Sequence, residues 1–381
     1  MSDNIVIAGI GQTTVGEHWQ FSIRELAHFA LEAAIKDAGG LRPQALFVGN
    51  MLAPNLSRQA HLGALIADFS GLIGIEATSI EAAGASGGAA LRQGYLAVKS
   101  GMVDVALVVG VEKFTDMVDS RVEDALATAT DSDFEAVQGL TPTSQAAMLM
   151  QRYMHEFNIP ADGFAGFPIT AHANAVDNPN AMFRRAIKES TYARAGMVSP
   201  PLNMFDAAPP ADGAAAIILT RSELLPANYH HRLVRVSGSA SASDMLTLHD
   251  RRDILNFDAA RRSVEIALQK ANITREQIDF FEYHDAYSIY AALSLEAAGF
   301  AEKGKGWELA RDGEIAKDGK IPCAIAGGLK ARGYPGGATG VYQAVEAASK
   351  LRDESVPDEV ALIQSLGGPA STAVTHILET V

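Results

Sequence analysis

Cysteine is almost absent. The single residue, Cys323, excludes an intrachain disulfide and any metal site built from several thiolates. The ten histidines fall at no ligand spacing such as HExxH, so no metal ligand set is expected. Blocks of lysine and arginine are also missing. With 31 basic against 45 acidic residues and a formal net charge of −14, the chain lacks the concentrated positive surface that nucleic acid or an anionic membrane requires. An anionic ligand would have to be held locally. No window approaches the roughly 20 apolar residues of a membrane span. The opening MSDNIVIAGIG has no basic stretch followed by a long apolar run, so the sequence reads as that of a cytoplasmic protein.

What is present is an ordinary globular composition, 48% hydrophobic and 20% charged over 381 residues, enough for one large double unit. Short apolar runs alternate with alanine-rich stretches of helical period, the pattern of an α/β protein. NIVIAGIGQT reads as a buried strand. SIRELAHFALEAAIKDAGG reads as a helix with Ser22 at its N-cap and glycine closing it. QALFVGNML, VDVALVVGVEKF and DGAAAIILTRSELL are further strands, and EATSIEAAGASGGAALRQGYLAVKSGM runs from strand through a tight turn into a long helix. Between about 116 and 201 the pattern breaks into polar, Met-rich and aromatic segments, which read as a helical insertion. A second cycle begins at HRLVRVSGSASAS. Its closing strands EVALIQSLG and STAVTHILE echo DVALVVGVE and AAAIILTRSE, so duplication of one α/β unit is the economical reading, with chance similarity of short strands as the alternative. The halves would be 1–232, carrying the insertion, and 233–381.

Three small-residue loops lie beside strand ends or helix starts: EAAGASGGAA from Glu81, GGLKARGYPGGATG from Gly327, and SLGGPAS from Ser365. Their backbone N–H groups suit an anion or a developing oxyanion, although glycine serves plain turns equally well. FEYHDAYSIY sets His284, Asp285, Tyr287 and Tyr290 where a strand gives way to a helix. These groups either face a site or, for His284 and Asp285, cap the helix that follows.

Taken in order over nearly the whole chain, EAAGASGGAALR, PLNMFDAAPPADGAAA, HDAY and GGLKARGYPGGATG resemble the thiolase superfamily, in particular its sterol-carrier-protein-type and archaeal-type branches. The resemblance implies a thiolase fold, two βαβαβαββ halves in five α-β-α-β-α layers, dimeric, with acyl-CoA entering over the loop insertion. The departures carry more information. Thiolases of this kind place a nucleophilic cysteine at the position of Gly84, where a helix dipole helps hold a thiolate. The activating histidine corresponds to Tyr334, and a second cysteine corresponds approximately to Ser365. Ser86 is a remote substitute nucleophile, and Cys323 is expected to be a buried apolar residue.

The apparatus for acyl-enzyme chemistry is therefore missing while the acyl-CoA scaffold is retained. Either the chain binds without catalysis, or it performs carbon–carbon chemistry without a covalent intermediate; an acyltransferase with another nucleophile is a third possibility. Two phenols, at HDAY and GYP, favour the second. A retro-aldol cleavage needs a base, an oxyanion site and an acid, but no nucleophile. A phenol held as phenolate by hydrogen bonds would suit a high-pKa alcohol.

The pattern resembles the steroid side-chain aldolases, lipid-transfer-protein-like members of the superfamily that cleave a 17-hydroxy steroid C22-acyl-CoA to a 17-ketosteroid and propionyl-CoA. The resemblance implies Tyr287 and Tyr334 as the acid and base, with His284 beside the enolate. Gly367, Gly368 and Gly337 are expected around the oxyanion and CoA. Gly84, Ala324 and Ala326 are expected to form an apolar pocket, Gly84 opening space for a bulky ketone. Met148, Met150, Met154, Phe157, Phe164 and Phe167 either line that pocket or form plain core. The CoA thioester is the substrate, no other cofactor is required, and a small OB-fold, zinc-ribbon partner would complete a heterotetramer.

Overall fold

The structure, a computed structural model, describes residues 4–118, 120–355 and 357–381; the first three residues of the opening segment read above lie outside it. In chain order the elements are β1 (Ile5–Gln12), α1 (Ile23–Asp37), β2 (Ala45–Gly49), α2 (Ala53–Leu56), α3 (Leu62–Phe69), β3 (Glu76–Ile80), α4 (Ser86–Lys99), β4 (Val105–Glu112), α5 (Ser120–Ala127), α6 (Pro142–Phe157), α7 (Gly166–Asn174), α8 (Glu189–Tyr192), β5 (Met197–Ser199), β6 (Leu202–Asn203) and β7 (Gly213–Arg221). There follow β8 (Val234–Ser243), α9 (Asp258–Ala271), β9 (Phe280–Glu282), α10 (Ser288–Ala297), α11 (Gly306–Arg311), α12 (Thr339–Leu351), β10 (Val360–Gly367) and β11 (Thr372–Thr380).

Nine strands form a sheet in the order β3-β2-β4-β7-β1-β8-β11-β10-β9. The order is symmetric about its middle. On one side β1 pairs antiparallel with β7, β7 antiparallel with β4, and β4 parallel with β2. On the other, β8, β11, β10 and β9 repeat those relations. Only Val6 and Arg235 pair across the seam. This is a mixed α/β sheet built of two repeated halves. Helices α1 and α3 cover the first half from outside, α9 covers the second, and α4 and α12 lie between, touching strands of both halves. Strands buried on both faces read as continuous apolar runs, as VALVVGVE in β4 does. The inner helices are brought together by glycine: a Cβ on Gly340 would collide with the backbone of Gly88.

The N-terminus of α1 is fixed as its sequence indicates, the Glu25 carboxylate accepting from the Ser22 hydroxyl at 2.7 Å and from the Ser22 backbone N–H at 2.8 Å. The insertion is helical through α5–α8, but it ends in a short antiparallel ribbon, β5 with β6. Strand β9 is only three residues long because the chain leaves the sheet at Tyr283 to form the HDAY loop. At the far edge, β3 leaves most of its residues exposed.

Candidate active site

Two buried carboxylates tie the HDAY loop to the GGLKARGYP loop. Glu282 accepts the Ile325 N–H at 2.7 Å. Asp285 accepts the Leu329 N–H at 2.7 Å and the Lys330 N–H at 3.4 Å. The helix-capping alternative for His284 and Asp285 therefore falls, since Tyr287 occupies the N-cap of α10. The FDAAPPAD segment then holds both phenols by their backbones. Ser288 N–H donates to Asp206 O and Ala208 N–H to Ala286 O, while Tyr334 accepts from Ala211 N–H and donates to Pro209 O. Lys330 reaches across to donate its ammonium to Asp206 O.

These loops close one wall of a cavity of about 500 Å³. Its lining includes Gly84, His284, Tyr287, Tyr290, Tyr334 and Gly368, with Lys330 beneath them. The insertion supplies the other wall through Glu123, Leu126, Thr143, His172 and Phe183. Gly84 sits in the turn that leads into α4, directly after Ala83, whose φ of +51° is unusual for a residue with a side chain. A Cβ at Gly84 would lie 2.7 Å from Tyr334 Oη, 2.7 Å from Leu366 O and 3.1 Å from His284 Cε1. The His284 and Tyr334 rings meet edge to face, centroids 5.6 Å apart. Tyr287 and Tyr290 do the same at 5.1 Å, and Tyr287 Oη shares a 3.0 Å hydrogen bond with Thr143 Oγ1.

Burial governs the protonation states. It raises the Tyr287, Tyr334 and Tyr290 phenols above their ordinary value, so all three carry their protons at neutral pH. Burial, helped by the charge of Arg332, lowers His284 to about 3, leaving a neutral imidazole whose Nδ1 has no hydrogen-bond partner. Burial also lowers Lys330 to about 8, against the pull of Asp285 and Asp206.

Several expectations need correction. Gly337 does not offer its N–H to a ligand: that group donates to the Glu112 carboxylate at 2.9 Å, which also collects Met51, Leu52 and Asn50. Ala324 and Ala326 do not line the cavity; their carbonyls accept from Asn174 and Asn178. Gly84 lines the cavity, and Tyr334 Oη lies 2.7 Å from where its Cβ would stand. Among the described residues no hydrogen bond from a cation holds either phenol as phenolate. Gly367 sits beside Gly368 at the end of β10, its Cα facing Ala82 O.

Alternative nucleophiles lie off the cavity. Ser86 Oγ donates to Ala83 O at 2.6 Å, Ser365 Oγ is buried against Gly88, and Cys323 is fully buried, its thiol donating to Ile321 O. Met150, Phe164 and Phe167 are core, Met154 and Phe157 pack on it, and Met148 is exposed; none lines the cavity. Glu123, Thr143, His172 and Lys330 were not singled out by sequence. For Lys330 a signal existed, its place within GGLKARG; the others belong to an insertion whose path is set by long-range packing. Among the described residues no helix is long and apolar enough to cross a membrane.

Residues 5–223 match the family described as thiolase, N-terminal domain, and residues 240–380 match thiolase C-terminal domain-like. The chain is 41% identical to an acetyl-CoA acetyltransferase of Methanothermobacter thermautotrophicus, over 98% of this chain and 99% of that protein. It is 30% identical to the benzoylsuccinyl-CoA thiolase subunit BbsB of Thauera aromatica, over 92% and 89%. Among solved structures, the Ltp2-ChsH2(DUF35) aldolase superposes with a TM-score of 0.84 at 23% identity, covering 100% of this chain and 98% of that one. Matched along both halves, the chain belongs to the thiolase superfamily.

Proposed function

We propose that this chain is a carbon–carbon lyase that cleaves a β-hydroxyacyl-CoA by a retro-aldol reaction, without an acyl-enzyme. The observation that carries the reading is the pairing of Gly84 with Tyr334. Where the superfamily's nucleophile would stand there is no side chain, and a phenol fills the space its Cβ would need. The thioester carbonyl would rest between the neutral His284 imidazole and the Gly367–Gly368 turn, where hydrogen-bond donors stabilise an enolate oxygen. Tyr334, a far stronger acid than a thioester α-carbon, protonates that carbon. Tyr287, towards the insertion, faces the substrate hydroxyl. The mainly apolar wall supports a bulky hydrophobic acyl group, and the resemblance in motif points to a 17-hydroxy steroid C22-acyl-CoA giving a 17-ketosteroid and propionyl-CoA. Arg184, Arg185, Lys188 and Arg194, all exposed after Phe183, supply local positive charge for CoA phosphates.

For assembly, the exposed edge strand β3 supports a homodimer core, since an unpaired edge is completed by a second strand. The similarity to a protein named as a subunit and to the Ltp2-ChsH2(DUF35) aldolase supports a small OB-fold, zinc-ribbon partner. One observation favours a second reading, acyl transfer: the name of the 41% identical relative. It requires a nucleophile that neither Ser86, Ser365 nor Cys323 is placed to supply. The two readings separate on incubation with β-hydroxyacyl-CoA and with acyl-CoA. Ketone formation with an unmodified protein mass supports the lyase, and a trapped acyl adduct supports the transferase.

A further inference from the structure

A retro-aldol cleavage must put the substrate's hydroxyl proton somewhere, and the phenols are poorly suited to keep it. Both Tyr287 and Tyr334 are buried and accept no hydrogen bond from a cation among the described residues, and His284 is held neutral by burial and the nearby Arg332. One carboxylate lines the cavity among the described residues, that of Glu123. Glu123 and Leu126, one turn apart on α5, face the cavity together. The Glu123 side chain is half-buried and makes no hydrogen bond or ion pair with any described residue. A half-buried carboxylate on a mainly apolar cavity wall, with no partner among the described residues, is a candidate for chemistry. Its charge reaches Tyr287 Oη, where it strengthens the hold on the phenol proton.

We propose that Glu123 is the terminal acceptor of the substrate hydroxyl proton, acting through Tyr287. This rests on the lyase reading. As the substrate O–H proton moves to Tyr287 Oη, the Tyr287 proton passes through water in the shared cavity to the Glu123 carboxylate, which touches neither Tyr287 nor Thr143 directly. The freed O–H electron pair forms the ketone carbonyl, the Cα–Cβ pair passes to the thioester enolate, and Tyr334 returns a proton to Cα. Solvent then reprotonates Tyr334 and takes the proton from Glu123, so no oxidant or co-reactant is needed. Glu123 thus serves as a proton store behind the group that touches substrate.

The titration of Glu123 is set by a defined surrounding. Asp124 is its neighbour on α5, and Tyr287, Tyr290, Tyr334, His172, His284 and Lys330 face the same cavity. Burial and then Asp124 raise its pKa above the usual carboxylate value.

The experiment compares wild type, Glu123→Gln and Glu123→Asp in cleavage of a β-hydroxyacyl-CoA across pH 5–9, with thermal unfolding of each. The expected result is a kcat reduced about 100-fold or more in Glu123→Gln with KM within about threefold. The acid limb of the pH profile disappears in that variant, and Glu123→Asp recovers part of the rate. Because the carboxylate has no partner among the described residues, Glu123→Gln unfolds at or above the wild-type temperature. A Glu123→Gln enzyme within threefold of wild type and with its acid limb intact overturns the proposal while the lyase reading stands. So does a variant that is slower only because it is less stable. A wild type that cleaves no β-hydroxyacyl-CoA overturns the lyase reading itself, and the role of Glu123 with it.

Discussion

Gly84 and Tyr334 are mutually exclusive in bulk: a Cβ on Gly84 would lie 2.7 Å from the Tyr334 hydroxyl oxygen and 2.7 Å from the Leu366 carbonyl. The two departures from the thiolase pattern are thus one structural change, in which the phenol occupies what the nucleophile vacates. Gly84→Ala is expected to lose about 1–3 kcal/mol of stability through overpacking. Tyr334→Phe in the same chain should recover part of that loss, leaving the clash with Leu366 O. Thermal or urea unfolding of the single and double variants checks this coupling.

Tyr334→Phe and Tyr287→Phe remove the phenols while keeping the rings that meet His284 and Tyr290. Each should lower kcat for β-hydroxyacyl-CoA cleavage about 10²–10⁴-fold with little change in the affinity for CoA thioesters measured by calorimetry. Rates near wild type in both variants would remove the phenols from the mechanism.

Buried His284 and His376 are held at about 3 and about 4 by loss of hydration, below the unfolded value near 6.5. Between those limits the unfolded chain binds protons that the folded chain refuses. Their stabilisation is therefore complete above about pH 6.5 and lost as pH falls. Glu112 and Glu346, raised to about 7, act in the opposite sense, weakening the fold as pH rises from about 4.5 to 7. His376→Gln isolates one contribution: between pH 7.5 and 5 it should lose about 2 kcal/mol less than wild type. Denaturant unfolding at the two pH values measures the difference.

Glu112 accepts from Asn50, Met51, Leu52 and Gly337. It joins the end of β4 to the loop entering α2 and to the turn entering α12. Glu112→Gln sets an amide donor against N–H groups that need acceptors. A loss of about 1–3 kcal/mol is expected for each donor left unpaired, seen as a lowered unfolding temperature, and activity should fall with it because that turn follows Tyr334.

That Gly84, His284, Tyr287, Tyr334 and Gly368 would gather around one cavity was legible because each lies in a short motif at a strand end or helix start, where local sequence fixes both backbone and direction. The errors arose where a distant residue decides the outcome. Gly337 looks available until Glu112, 225 positions away, claims its N–H. Ala324 and Ala326 look like pocket walls, yet they lie outside the cavity lining, in a segment tied to Asn174 and Asn178 of the insertion. The insertion wall, with Glu123 and Thr143, is set by the packing of α5 and α6 rather than by any local signal. Phenolate character was inferred from residue type alone, whereas the burial of Tyr287 and Tyr334 keeps both protonated.

The most direct test of the account is to follow wild-type protein with a β-hydroxyacyl-CoA bearing a bulky apolar tertiary alcohol, measuring ketone, shortened acyl-CoA and intact protein mass in the same reaction. Equal amounts of ketone and acyl-CoA, with the protein mass unchanged throughout, are predicted. An acyl adduct on the protein, or binding of the thioester with no cleavage, would contradict it.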